Sequence, residues 1–382
     1  MAGVVTEPSR NTPRVQIEIS LFSGASVIGV DLQMASARMN PTELGGPLLA
    51  SVSRSFYLSI RLLPRGLRAP IGLAYLLARA SDTIADTAEA PVETRLRHLA
   101  EFARMIRTGR ITGLAELQSE IRAPDPRENA LITQLDQCFA WLATLESKDH
   151  GEIAAVLQKI IHGQTLDLQR FGEGLQVAAL QTAEELDEYT YLVAGCVGEF
   201  WTRVCLQHLP DCSHLGLADL RRLGANYGKG LQLVNILRDL PSDLRQGRCY
   251  LPETELRAAG TSPTPVAHDP TKAQAVFDRW HARAEEYLED GHRYILALRS
   301  PKLRAACFLP WYLGIKTLRL MRKRSPLGLK EKLKVPRSTV RFALVLAGPV
   351  AFSDRALSWV KAPPPDRSAQ PDQSDPSGFE PQ

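Results

Sequence analysis

Period-two alternation of apolar and polar residues is scarce throughout this 382-residue chain, so it offers almost nothing to build a sheet from. From about residue 45 to 350 the apolar spacing is helical instead. Ile71, Leu73, Tyr75, Leu76, Leu77 and Ile84 belong to one long apolar helix, with Pro64 and Pro70 as start signals. Further helical stretches run near 93–109, 128–147, 151–171, 183–208, 217–240, 271–298 and 303–322. Several are apolar on most faces, as helices buried inside a large bundle are. The fold class is therefore all-α, one helical domain over 41–350. Residues 1–40 are expected to be a poorly ordered extension, and Met34 and Met39 are candidates for a later start. The tail 363–382 is rich in Pro, Ser, Asp and Gln and is expected to be disordered.

Apolar residues make up 44% of the chain, enough for one sizeable core. The net charge of +4 does not imply a nucleic-acid partner. Its distribution is uneven. Ten Lys/Arg stand between Lys316 and Arg341 against one acid, Glu331. Such a stretch is either a solvated face or an edge resting on anionic lipid headgroups. It runs into the apolar segment Phe342–Phe352, interrupted by Gly348 and Pro349. Eleven residues are too few to span a bilayer, which takes roughly 20. That segment suits the core or a membrane interface, so 316–352 is a candidate peripheral membrane contact. Six cysteines without CxxC spacing, and no signal-peptide pattern, fit reduced thiols in a cytoplasmic protein.

Two pairs of aspartates carry the chemical signal. Asp82 and Asp86 follow an apolar helix and stand four residues apart, which puts both carboxylates on one face. Asp239 and Asp243 repeat the spacing after the apolar run Gly230–Leu237. Like charges so placed repel, and a divalent cation would compensate them. Mg²⁺ takes oxygen ligands from one or two carboxylates plus substrate phosphates. Arg79 and Arg238 adjoin the pairs and are candidates for contacting phosphate oxygens. Pro241, between the second pair, is expected to bend or end its helix near Asp239. One such pair alone is as readily an exposed helix face; two pairs on apolar helices favour a site.

With these acids go four further elements: Ser53-Arg54-Ser55-Phe56; Tyr75 through Asp86; Tyr189-Thr-Tyr191-Leu-Val193-Ala-Gly195-Cys-Val197-Gly198; and Gly247-Arg248-Cys-Tyr250-Leu-Pro252. In this order, with Gly230–Asp243 before the last, they resemble the squalene/phytoene synthase family. The resemblance implies a single-domain isoprenoid-synthase-type bundle with a central cavity. It implies that Asp82, Asp86, Asp239 and Asp243 hold Mg²⁺ and diphosphate. Ser53, Arg54, Ser55, Phe56, Tyr75, Gln232 and Asn235 would bind substrate. Tyr189 would assist proton removal, with Arg79 and Arg238 as catalytic partners. Small residues at 195 and 198 would let a helix or a substrate chain approach closely. Leu240, Pro241 and Ser242 depart from the acidic and aromatic residues usual there in animal and fungal members.

The implied reaction condenses two farnesyl diphosphates head to head, through presqualene diphosphate, to squalene, with hydride from NADPH. Phe56, Tyr57, Tyr75 and Tyr191 are candidate aromatic faces for an allylic cation, and each suits core packing equally well. No G-x-G-x-x-G element follows a strand, so NADPH rests on the resemblance alone. Phytoene, dehydrosqualene and presqualene diphosphate are alternative products. A helical scaffold of the same family and a lipid-binding adaptor are the non-enzymatic alternatives.

Overall fold

The computed structural model describes residues 41–53, 55–172, 177–329 and 332–361, so the expected N-terminal extension and tail lie outside the described residues. The helices are α1 (Ser55–Leu62), α2 (Arg65–Asp86), α3 (Val92–Thr108), α4 (Ser147–Phe171), α5 (Ala183–Thr190) and α6 (Cys196–His208). They continue with α7 (Leu217–Arg245), α8 (Gln274–Ala297), α9 (Pro301–Lys323), α10 (Arg337–Phe352) and α11 (Asp354–Lys361). A π turn, Tyr191–Gly195, joins α5 to α6. The only strands among the described residues are Ala178–Ala179 and Arg248–Cys249, paired in parallel. The chain is all-α, as its periodicity predicts.

The apolar pattern explains which helices are central. In α2 every residue from Pro70 to Ala85 except Arg79 is buried. Pro70 lies inside α2 rather than before it: the helix starts at Arg65, and burial of Leu67, Pro70 and Ile71 carries it past the missing backbone donor. Pro241 likewise fails to end α7. Leu240, Pro241 and Leu244 are all buried, and the helix runs on to Arg245. Asp239 and Asp243 therefore keep a plain i,i+4 relation. The stretch near 128–147 divides into Pro126–Thr133 and Leu135–Thr144, because Gln134 leaves the helical region.

Helix α7 packs most extensively on α8 and α6. Its crossing with α6 is set by glycines. A Cβ on Gly198 would lie 1.9 Å from the Gly224 carbonyl oxygen, and one on Gly228 would lie 2.3 Å from that of Ala194. Backbone meets backbone here, so a helix approaches closely at Gly195 and Gly198, and Gly198 also lines an apolar cavity. At the end of α7, Gly247 takes φ 78° and its N–H donates to Leu244 O at 3.1 Å. This left-handed C-cap turns the chain into the short strand pair, which fixes Arg248 and Tyr250 beside α7.

All six cysteines are buried and free, as expected of reduced thiols. The basic stretch is not one face. Lys316 lies over the Tyr312 ring, Arg322 pairs with Glu285, and Lys332 turns inward to Asp239. The segment Phe342–Phe352 joins the core by one face only: Ala343, Ala347, Val350 and Ala351 are buried, while Phe342, Val345 and Phe352 are exposed. Among the described residues no helix is long and apolar enough to cross a membrane.

Gly198→Ala is expected to destabilise the protein by about 1–3 kcal/mol, the usual cost of overpacking. Gly151→Ala, at a helical glycine with nothing within 4 Å, is expected to stabilise it by roughly 0.5–1 kcal/mol. Urea unfolding midpoints of both variants check the pair of outcomes.

Candidate active site

Four helical segments line two levels one turn apart, and three of them bring a polar residue to the first level and a small or apolar one to the second. On α2 these are Asp82 and Ala78; on α4, Gln164 and Ile160; on α7, Gln232 and Gly228. Along α6 and the π turn before it, Val193 lies at the polar level and Val197 at the apolar one. The i,i+4 relation places each pair on one face of its helix. The polar level is a cavity of about 600 Å³. Behind it are two apolar cavities of about 80 and 30 Å³, which share Phe56, Val197 and Trp201.

Both aspartate pairs line the polar cavity, together with Gln232, Asn235 and Tyr189. Gln232, Asn235, Asp239 and Asp243 form one stripe along α7, three or four residues apart. Each acid pair also sits at the C-terminal end of its helix. There the unpaired carbonyls already present partial negative charge, so the field favours a cation.

The carboxylates show the cost of that placement. Asp82 is 6% exposed. One of its oxygens accepts from the Gln164 amide, while Oδ2 is buried with no hydrogen-bond partner. Burial pushes its pKa well above the usual carboxylate range, against the pull of Arg79. Burial, with Asp239 adding repulsion, raises Asp243 to about 8. Asp239 is compensated: Arg238 donates to both of its oxygens at 2.8 and 2.7 Å, and Lys332 Nζ lies 2.9 Å from Oδ2. An orphaned buried oxygen and two carboxyls driven toward their neutral forms fit the donor set of a hard divalent cation. Among the described residues no three His, Cys, Asp or Glu side chains converge to hold a metal unaided. Oxygens of a bound diphosphate would have to complete the coordination.

The cavity also holds residues that the sequence reading did not assign to the site. Asp167, one turn beyond Gln164 on α4, accepts from the Tyr250 hydroxyl at 2.7 Å and pairs with Arg248 at 3.4 Å. Tyr250 stacks on Tyr189 with ring centroids 5.0 Å apart and planes at 22°. Burial, with Asp167 nearby, pushes the Tyr189 phenol well above its ordinary value. Arg95 donates to the Ala85 carbonyl at 2.8 Å and lines the cavity beside Asp86. The i,i+3 spacing of Gln164 and Asp167 was the available signal for α4, and it is a weak one on a helix with many polar residues. Arg248 and Tyr250 fell in an element the resemblance used but gave no role.

Other expected site residues are placed elsewhere. Arg79 donates to Glu128 at 2.7 Å and does not line the cavity, although its charge acts on Asp82. Arg238 is buried and engaged with Asp239 rather than turned to the cavity. Ser53 donates to the Leu49 carbonyl at 2.5 Å, its own helix's backbone. Phe56 and Tyr75 stack at 5.2 Å and line the apolar cavities, not the polar end. Tyr191 faces the other way, donating to Glu199 at 3.1 Å under Lys159, and Tyr57 lies beneath Arg61. Arg54 and the Ser55 side chain lie outside the described residues.

The family model for squalene/phytoene synthase matches residues 49–339. A squalene synthase of Schizosaccharomyces pombe is 26% identical over 279 residues, covering 71% of this chain and 57% of that protein. The chain thus spans less than three-fifths of that relative. A 15-cis-phytoene synthase of Synechocystis sp. is 29% identical over 271 residues, covering 67% of this chain and 69% of that protein. Among solved structures, TcSQS in complex with the ligand E5700 superposes with a TM-score of 0.68 at 22% identity, covering 84% of this chain and 90% of that one. That likeness establishes the isoprenoid-synthase-type helical fold.

In the folded, metal-free protein Asp243 keeps its proton to about pH 8, whereas the unfolded chain releases it near 3.8. A raised pKa of this kind stabilises fully below the unfolded value, and the stabilisation is lost as pH rises through the folded one. Metal-free protein is therefore expected to lose thermal stability between about pH 4 and 8. Asp243→Asn is expected to show a shallower decline in melting temperature over the same range.

Proposed function

We propose that this chain, which belongs to the squalene/phytoene synthase family, joins two farnesyl diphosphates head to head through presqualene diphosphate and carries the product on to squalene. The observation that carries the reading is the two-level cavity. An acidic end with an uncompensated Asp82 oxygen adjoins apolar cavities along the same helix faces. A prenyl diphosphate has that division in one molecule.

In this reading Asp82, Asp86, Asp239 and Asp243 hold Mg²⁺, whose charge, when it is bound, neutralises the leaving diphosphate. Arg248 and Lys332, both lining the cavity, bind diphosphate oxygens. Phe56, Val197 and Trp201 keep water from the allylic cation that the departing group leaves. The second farnesyl unit attacks through its double bond, and a proton must then leave to close the cyclopropane. Tyr189 and Tyr250 stand over Asp167, so a proton taken by a phenol oxygen has a carboxylate to pass its own to. The second stage needs a hydride, which NADPH would supply when bound; its use rests on the family resemblance. The Synechocystis relative favours a second reading, the same condensation on geranylgeranyl chains to phytoene.

Incubation with farnesyl diphosphate and Mg²⁺, with and without NADPH, followed by extraction and mass spectrometry, tests the proposal. Squalene formed only with NADPH is expected. Presqualene diphosphate in both reactions would end the pathway at the intermediate. Turnover of geranylgeranyl diphosphate alone would move the chain to the phytoene branch, and inertness to both would leave a scaffold.

Asp82→Asn is expected to lower kcat by roughly 10²–10³, the range for losing one electrostatic stabiliser. Its melting temperature should hold or rise, because the substitution removes a buried charge. Tyr189→Phe is expected to slow cyclopropane formation by roughly 10²-fold, within the range for proton transfer. An unchanged rate in single-turnover assays would assign the proton to another acceptor.

A further inference from the structure

Of the seven large apolar side chains most exposed among the described residues, five fall in α10 and α11. They are Phe342 (48% exposed), Leu344 (41%), Val345 (70%), Phe352 (81%) and Trp359 (69%). The other face of the same two helices is seated on the body of the protein. Ala343, Ala347, Val350, Leu357 and Val360 are buried, and α10 packs along α9. The two helices thus form a fixed hairpin with an outer face rich in apolar side chains. An apolar patch held outward by a rigid support marks an interaction surface.

The charge around the patch identifies its partner. On the hairpin itself, from Arg337 to Lys361, the sequence has four Lys/Arg and one acid, a net charge of +3 in 25 residues of a chain whose total is +4. That acid, Asp354, is paired with Arg304 at 2.5 Å. Arg337 and Arg341, in the first turns of α10, and Arg355, on α11, are exposed beside the apolar side chains. A second copy of this chain would bring the same positive charge against itself. An anionic lipid surface brings the opposite charge together with a hydrocarbon layer beneath it.

We propose that the α10–α11 hairpin docks the protein in the plane of an anionic bilayer. Phe342, Val345 and Phe352 enter the acyl boundary, Trp359 sits at headgroup level, and Arg337, Arg341 and Arg355 rest on lipid phosphates. Helix α10 has 16 residues and one buried face, so it lies on the membrane rather than across it. Tryptophan at the rim is suited to the headgroup region, where a ring meets both phases. The expected 316–352 edge is thereby moved and narrowed: Lys316, Arg322 and Lys332 have partners within the protein, and the hairpin carries the contact. The inference rests on the surface alone and does not depend on the reading of the active site.

Co-sedimentation of the full chain with vesicles tests it, using phosphatidylcholine alone and phosphatidylcholine with about 30% phosphatidylglycerol, an anionic surface of the kind that attracts basic segments. The wild type is expected to bind the anionic vesicles and to bind less as salt is raised. Phe352→Ser combined with Trp359→Ser should weaken binding at least tenfold. Its melting temperature and its turnover of farnesyl diphosphate in vesicle-free buffer should stay unchanged. Arg337→Gln combined with Arg341→Gln should abolish the preference for anionic over neutral vesicles. Wild type that sediments with neither vesicle, or a Phe352/Trp359 variant that binds as the wild type does, overturns the proposal. So does wild type that dimerises through this face, with the double variant monomeric and neither bound to lipid.

Discussion

The structure turns on holding like charges in a place that resists them. Asp82 and Asp243 are carboxyls withdrawn from water at the C-terminal ends of α2 and α7, where helix carbonyls add to the negative potential. Left ionised, they cost stability; left neutral, they cannot bind a cation. The fold supplies only part of the compensation. Arg238 and Lys332 serve Asp239, and Gln164 serves one oxygen of Asp82, while the other oxygen has no partner. The remainder has to come from a ligand, which makes the folded state itself poised to take up positive charge.

That poise needs a frame stiff enough to prevent the acids from relaxing apart. The glycine crossing of α6 on α7 provides it. With the Gly198 and Gly228 backbones against those of Gly224 and Ala194, neither helix can shift without opening a void or a clash. The same crossing sets the width of the apolar cavity, since Gly198, Gly224 and Gly228 all line it. One packing device therefore fixes both the separation of the polar groups and the room behind them. The π turn at Tyr191–Gly195 lies at this crossing, and Tyr189 before it and Val193 within it both line the polar cavity.

Much of this was legible in the sequence, and the limits were physical. Helix positions follow from periodicity because burial of an apolar face decides them, and the two DxxxD pairs stand out because charge on an apolar helix is unusual. The proline rules misled twice. Pro70 and Pro241 are overridden by burial of their neighbours, a tertiary effect that no local pattern carries. Asp167 escaped notice because a single aspartate gains meaning only from what lies across the cavity, here Tyr250 and Arg248 from a segment more than 80 residues away. Arg79 misled in the opposite sense. Its position one turn before Asp82 suggested a phosphate contact, and its charge does act on Asp82, yet its guanidinium donates to Glu128, a partner 49 residues away that no local pattern shows.

The placement of Asp167 bears on how a proton could leave in the proposed reaction. The Tyr189 phenol is pushed up by burial and by the Asp167 carboxylate nearby, so it does not stand as a phenolate ready to accept. A neutral phenol takes a proton on its oxygen only if its own proton has somewhere to go at the same moment. Asp167, itself raised by burial but steadied by Arg248, is the acceptor within hydrogen-bond reach of the tyrosine pair. Tyr250 stacks flat against Tyr189 and holds that geometry while presenting its own hydroxyl to the same carboxylate. In the proposed reaction the unit of proton handling is thus a carboxylate behind two phenols, and a lone buried tyrosine at position 189 would be a poor base.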